Sequence, residues 1–345
     1  MLKPIIHLYK YTFKYLGENK LKYFLAEIGL LIKELFFLMI PIVIGMAINL
    51  LQSDVERFKE IWYWYFIAAN GLYYLSWVAQ FPSITTQSKL ALKISNNFKN
   101  AIFDKLNRLP LKWHKERHSG DTLSRVEKAT DALFSFSEST FMYLDTAIGL
   151  LFAFGTIIYF DWQLSLILLV AICLSFLIIN YYDKKIIPLK LKVNEKKHSA
   201  SSVFIDYISN ISTVLTLHLT KRAKEHVEKK LNKIYDTYDK QVITGEKKWL
   251  IFSNFLTTVI YIVFFGYIWK NINNQLLIGN VFILYQYLRT LEFRLYDVGW
   301  QMNRLMHYSL DLKSIDVIEN AQIVGEQECL VLAKNSLKSM EIKNL

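Results

Sequence analysis

Residues 109–125 read Leu109-Pro110-Leu111-Lys112-Trp113-His114-Lys115-Glu116-Arg117-His118-Ser119-Gly120-Asp121-Thr122-Leu123-Ser124-Arg125. Pro110 and Gly120 bracket about ten residues, enough for little more than two helical turns before the chain reverses. Ser119 or Asp121 can cap the returning helix, and Arg125 falls one turn beyond Asp121 on the same face. On either side the chain keeps helical spacing without a proline, over 83–108 and 121–141. The pattern predicts a short basic knob held on two helical arms in water, placed to touch another protein.

Outward from the knob, both arms run into apolar sequence. Six apolar stretches occur: 35–51, 61–81, 142–160, 163–182, 249–269 and one from about 276 that turns polar after Leu288. Each approaches the ~20 residues that cross a bilayer as a helix. The composition agrees. Of 345 residues 53% are hydrophobic and 15% aromatic, above an average soluble domain and below a chain that is all membrane. Glycine (12) and proline (5) are too scarce for a β-rich or disordered chain. The reading is an all-α membrane protein with six spans and substantial helix in water.

The connections alternate in length. Spans one and two are joined by about nine residues, three and four by little beyond Asp161-Trp162, and five and six by 270–275. The second-to-third and fourth-to-fifth connections each run to about sixty. The short loops hold only Arg57, Lys59 and Lys270, whereas the long connections are rich in lysine. Positive-inside bias therefore places the long connections and both termini in the cytoplasm of a multi-pass protein in the cell membrane. It also accounts for the net charge of +11 without nucleic acid. The second connection repeats the plan of the first, with arms at 189–204 and 216–248 and a reversal at 205–213, where Asn210 tolerates a left-handed turn.

Residues 1–22 read as an amphipathic helix in the membrane interface, with Ile5, Leu8, Tyr9, Thr12, Phe13 and Leu16 on one side and lysines elsewhere. A solvated tail is the bland alternative. No cleavable signal peptide is visible. Cys173 and Cys329 form neither a disulfide framework nor a metal motif. The six-span body covers 23–319, a polar linker 320–339 follows, and 340–345 alternate like the start of a strand that has no partner.

These features resemble the membrane half of an exporter-type ABC transporter over essentially the whole chain. The most specific match is Leu109-Pro110, Trp113-His114, Ser119-Gly120-Asp121 and Ser124-Arg125, which is similar to the family's first coupling segment. Residues 206–214 are similar to the second, through Asp206, Ile211 and Val214, with Asn210 where the family usually has glycine. Two further departures are Ala129 in place of an aspartate, with Asp131 two residues on, and His114 in place of a second aromatic. The resemblance implies that Trp113, His114, Arg117, Gly120, Asp121, Arg125, Asp206 and Asn210 couple the membrane part to nucleotide-binding domains. It implies a second half-transporter as homo- or heterodimer partner, and it makes 340–345 the first strand of a nucleotide-binding domain.

The sequence contains no Gly-x-x-x-x-Gly-Lys-Ser/Thr run. The expectation is that this chain is not itself an enzyme and holds no cofactor, with ATP and Mg2+ bound on the nucleotide-binding domain, in cis or on a separate chain. No catalytic constellation emerges. His114 and His118, four apart, read as a solvated basic pair rather than a metal site.

Polar groups within spans are costly and face the bundle interior or water. Arg289, Glu292 and Tyr296 share one face of the sixth stretch and are candidates for a substrate cavity. The bland reading is a helix that has already left the bilayer and carries ordinary ion pairs. Lys33 and Glu34 can pair or snorkel near the start of span one, and Asp145 meets the membrane at the start of span three. The competing reading of the whole is a membrane scaffold or sensor that docks a cytoplasmic partner without transporting anything.

Overall fold

A computed structural model describes residues 2–117, 119–273 and 276–323. His118, most of the expected linker and the expected strand at 340–345 lie outside the described residues, as do the side chains of Ser119 and Asp121. The described chain is helical throughout: α1 (Leu2–Tyr15), α2 (Lys20–Ser53), α3 (Val55–Asn107), α4 (Leu111–Lys115), α5 (Ser119–Glu138), α6 (Thr140–Phe160), α7 (Trp162–Ser209), α8 (Ile211–Thr216), α9 (Thr220–Asn271), α10 (Ile278–Lys313) and α11 (Asp316–Glu319).

All six apolar stretches fall within these helices. Four helices, the one ending at Ser53 together with α6, α7 and α9, are long and apolar enough to cross a membrane by length and composition. In α3 the stretch 61–81 is diluted by Trp and Tyr, and in α10 apolar sequence stops at Arg289. α3, α7 and α9 run from span into arm without a break and have 53, 48 and 52 residues, whereas the third span and its arm are separate helices, α6 and α5, divided at Ser139. Prolines lie inside three of the helices, at Pro41 of α2, Pro82 of α3 and Pro188 of α7.

Local chemistry sets the breaks. Gly17, at φ +60°, ends the first helix through a 3-10 turn at Gly17–Asn19, so α1 is shorter than the expected 1–22. Asp161 has extended backbone, and its side chain accepts from the N–H groups of Gln163 and Leu164 at the start of α7. Burial pushes the Asp161 carboxyl up, but the Lys270 ammonium (2.6 Å) and the two backbone donors together hold it below its ordinary value. Gln52 caps α10 reciprocally: its Oε1 accepts from Ile278 N–H (2.7 Å) while its Nε2 donates to the Leu276 carbonyl (3.0 Å).

The chain divides into two compact units. The first comprises residues up to Glu34, Leu75–Asp145 and the chain from Trp300. Its core joins Leu8 and Tyr15 of α1 and Leu16 just after it to Phe98 and Ile102 of α3, Leu133 and Phe136 of α5, and Leu312, Ile315 and Ile318 near the end. The apolar side of α1 is thus packed on protein, while Ile6 and Phe13 remain exposed. Tyr11 donates to Glu319, and burial first, then that carboxylate, pushes the phenol above its usual range. Beside this core lies a polar seam. Lys33 bonds Asp145 (2.7 Å) and Glu34 (3.1 Å), and Glu34 is only 1% exposed. Asp145 is therefore buried in an ion triad, not exposed at the interface.

The second unit comprises Leu35–Tyr74 and Thr146–Gly299. Its core is built from Leu38, Ile157, Leu168, Phe252, Leu256, Ile260, Tyr287 and Leu291. α2 and α10 cross where Gly45 meets Gly279; a Cβ at Gly279 would collide with the Gly45 carbonyl oxygen and the Asn49 side chain. Asn49 Nδ2 donates to Asn280 Oδ1 (2.8 Å) at the same point. The outward faces of the spans carry large exposed apolar side chains, including Leu151, Tyr159, Leu177 and Phe265, as helices solvated by lipid require.

Candidate functional site

Two helix-tipped reversals are the candidate docking elements, one in each unit. The first begins at Pro110, whose φ of −64° and missing N–H suit the residue ahead of a helix, and α4 follows for a turn and a half. Trp113 is half-buried. It packs against the core of its unit and also lines an open recess of about 310 Å3 with Phe103, Leu106, His114, Arg117, Leu123 and Val126. The one ring therefore anchors the tip and also offers apolar surface. The Arg117 guanidinium lies 4.6 Å from its centroid, and the His114 ring stands edge-on at 5.2 Å with Nε2 3.1 Å from the Leu106 carbonyl. Phe103 and Leu123 are 62% and 56% exposed, so the recess is apolar within and cationic at its rim, where Lys99 and Arg117 stand.

Gly120 is not a turn residue. It lies in the first turn of α5 without positive φ, and a Cβ there meets nothing within 4 Å among the described residues. Arg125 reaches the Ser314 carbonyl (3.4 Å) at the C-terminal end of α10, where a cation is favoured by the helix dipole. It ties α5 to the last long helix of its unit and lies outside the recess lining.

The second reversal corrects the expectation for Asn210. α7 runs on to Ser209, and Asn210 has φ −110°, with its Nδ2 and N–H both bonding the Asp206 carbonyl. The left-handed residue is His218, at φ 52°. Leu219 N–H bonds the Val214 carbonyl and His218 N–H the Leu215 carbonyl, a Schellman closure with histidine where glycine is usual. Val214 is buried and holds α8 down. Asp206 is exposed, and around it Phe204, Ile205, Ile208, Ile211, Leu215 and Leu217 are exposed as well. Apolar side chains this dense at the end of a polar arm were the available signal for the tip, and Leu215 and Leu217 complete it beyond the segment quoted from sequence.

The third group is internal. Glu292 is 4% exposed, pairs with Arg289, and accepts from Thr257 Oγ1 of α9 at 2.6 Å. Tyr296 packs on Trp249 and Phe252 of α9. The three residues share a face as expected, and that face presses Glu292 and Tyr296 against α9. Among the described residues no group of three or more His, Cys, Asp or Glu side chains could hold a metal ion.

Residues 23–295 match the profile of the family described as ABC transporter transmembrane region. The SPbeta prophage-derived sublancin-168-processing and transport ATP-binding protein SunT of Bacillus subtilis (strain 168) is 27% identical over 161 residues, 45% of this chain and 21% of the relative. The putative ABC transporter ATP-binding protein exp8 of Streptococcus pneumoniae serotype 4 is 21% identical over 308 residues, 86% of this chain and 51% of the relative. An ATP-dependent lipid A-core flippase of Thiobacillus denitrificans is 23% identical over 197 residues, 55% of this chain and 32% of the relative. The chain thus spans between about a fifth and a half of the length of these relatives.

Proposed function

The chain belongs to the ABC transporter transmembrane-region family, and from that premise we propose that it is the membrane module of an ATP-driven exporter, worked by nucleotide-binding domains that its two tips engage. The observation that carries the reading is the repeated device: a short helix, α4 or α8, at the end of two long arms, presenting apolar side chains to water. Exposed apolar surface on a polar arm is a binding surface in want of a partner. Gly120 adds to this, because among the described residues neither a positive φ nor a close neighbour accounts for it, and a partner backbone approaching the tip would.

ATP and Mg2+ belong to the nucleotide-binding domains in this reading, and no residue of the chain is assigned to them. Domain closure would move the arms as rigid bodies and switch the spans between inward- and outward-facing arrangements. Pairing with a second half-transporter, as homo- or heterodimer, and cytoplasmic placement of both termini complete the proposal. The relatives are named for different cargoes, sublancin-168 and lipid A-core, so the proposal stops at the exporter class.

The test is Trp113→Ala in a protein that carries its nucleotide-binding domain, reconstituted in vesicles. ATP hydrolysis persists while substrate movement per ATP falls by about tenfold or more, as expected for loss of an aromatic anchor. Unchanged coupling would remove Trp113 and its recess from the mechanism. An unaltered membrane protein that hydrolyses no ATP with any nucleotide-binding partner would favour the scaffold reading.

A further inference from the structure

Charge along the α7 and α9 arms is not spread evenly. Residues 181–192 and 240–250, next to spans four and five, hold seven lysines against two acids, Asp183 and Glu246. Farther out, 193–209 and 220–239 hold eight basic residues against six acidic ones. The excess lies at the membrane boundary, where charge meets lipid headgroups, and fades along the arm.

The local geometry leaves this charge available. Lys248 is buried and bonds Asp183 at 3.0 Å, with its ammonium 4.9 Å from the Trp249 ring centroid. That bridge joins α7 to α9 and neutralises one of the two acids. Lys184 and Lys247, adjacent in sequence to its two ends, are exposed, as is Lys185. Lys185 Nζ donates to Tyr181 Oη (2.6 Å) and stands 4.0 Å from that ring's centroid. Tyr181, Tyr182 and Trp249 are aromatics of the kind that mark headgroup depth. On the span side of the lysines, Leu174, Leu177 and Leu250 are exposed and apolar.

We propose that Lys184, Lys185 and Lys247 form a binding site for an anionic phospholipid, with the phosphate held by the lysines and the acyl chains lying along Leu177 and Leu250. The vertical order, cations above aromatics above exposed leucines, is that of a phospholipid in a leaflet. A soluble anion has no use for the apolar part, and that distinction selects a lipid over free phosphate. Basic clusters immediately beside a span are the usual seat of such lipids. The inference needs only that α7 and α9 cross a bilayer, so it stands or falls apart from the transport reading.

The experiment is a lipid titration of the purified, delipidated chain in detergent, read by native mass spectrometry. The probes are phosphatidylglycerol, phosphatidylcholine and soluble glycerophosphoglycerol. Wild type retains phosphatidylglycerol in preference to phosphatidylcholine. The exposed triple substitution Lys184→Glu, Lys185→Glu, Lys247→Glu lowers that preference by about tenfold or more. An equal charge change farther out, Lys224→Glu, Lys229→Glu, Lys233→Glu, leaves it unchanged, and Lys184→Gln, Lys185→Gln, Lys247→Gln gives an intermediate loss. The proposal is overturned by absence of a preference in wild type, by equal losses in the two reversed triples, or by displacement of the lipid by the soluble headgroup at similar concentration.

Discussion

The crossing of α2 and α10 offers the sharpest test of the packing. Gly279→Ala adds one methyl where the nearest neighbours are the Gly45 carbonyl oxygen, which belongs to a helix backbone and cannot rotate away, and the Asn49 side chain. Overpacking of this kind costs about 1–3 kcal/mol. Pushing Asn49 aside also weakens its bond to Asn280, and such interhelical bonds in membrane proteins are worth about 0.6 and at most about 1.7 kcal/mol. Alanine returns at most ~1 kcal/mol of helix propensity, less in the first turn, where Gly279 lies. The net expectation is a loss of about 1–4 kcal/mol, read as a lowered unfolding midpoint in mild detergent. Gly71→Ala and Gly155→Ala are the controls, since a Cβ at either meets nothing within 4 Å among the described residues, and both should hold or gain stability. In a cycle with Asn280→Ala, the cost of Gly279→Ala should shrink, because the bond it disturbs is already gone. If Gly279→Ala unfolds together with wild type while the controls behave as stated, the close crossing of α2 and α10 is wrong.

Three other outcomes are expected. His218→Gly relieves a left-handed backbone that costs an L side chain about 1–2 kcal/mol, so the amide of Leu219 should exchange roughly fivefold or more slowly; unchanged protection would refute the Schellman closure. The depressed Asp161 carboxyl contributes stability that is fully present above its unfolded value of about 3.9 and is lost as pH falls through the lower folded value. Asp161→Asn should therefore flatten the acid limb of the melting curve below about pH 4, and an identical limb in the variant would sink the assignment. Thr257→Val removes the hydroxyl that serves buried Glu292 and should cost about 0.6–1.7 kcal/mol, whereas Thr257→Ser melts with wild type; equal melting of all three proteins would mean the bond contributes nothing.

Much of this architecture was legible in sequence because helices declare themselves by period and length. The short helix after Pro110, the arms of α3, α7 and α9 and the six apolar stretches fell where their spacing placed them, whereas Gly120 lies inside α5 and the arm expected over 121–141 breaks at Ser139. What failed to show depends on the partner of each face. An amphipathic helix at the N-terminus reads the same whether its apolar side meets lipid or protein, and here Phe98 and Phe136 are what it meets. Lys33 and Asp145 lie 112 positions apart, and no local pattern announces that they pair. Glu292 and Tyr296 were correctly set on one face, but Thr257, Trp249 and Phe252 decide what that face does. At the second tip the expected reversal at Asn210 followed ordinary turn chemistry, while the chain reverses at a histidine that carries no such signal.

The prolines give the arms unequal mechanics. Pro82 falls where span two gives way to its arm, and Pro188 lies six residues beyond span four, each removing one backbone bond from an otherwise continuous helix. α9, which runs beside α7, has no proline in 52 residues, or about 78 Å at 1.5 Å per residue. In the second unit a strut of constant stiffness thus lies beside a limb with a weak point close to the membrane surface. A load on the α8 tip would therefore be borne chiefly by α9, with α7 braced along its length against that strut and moving with it.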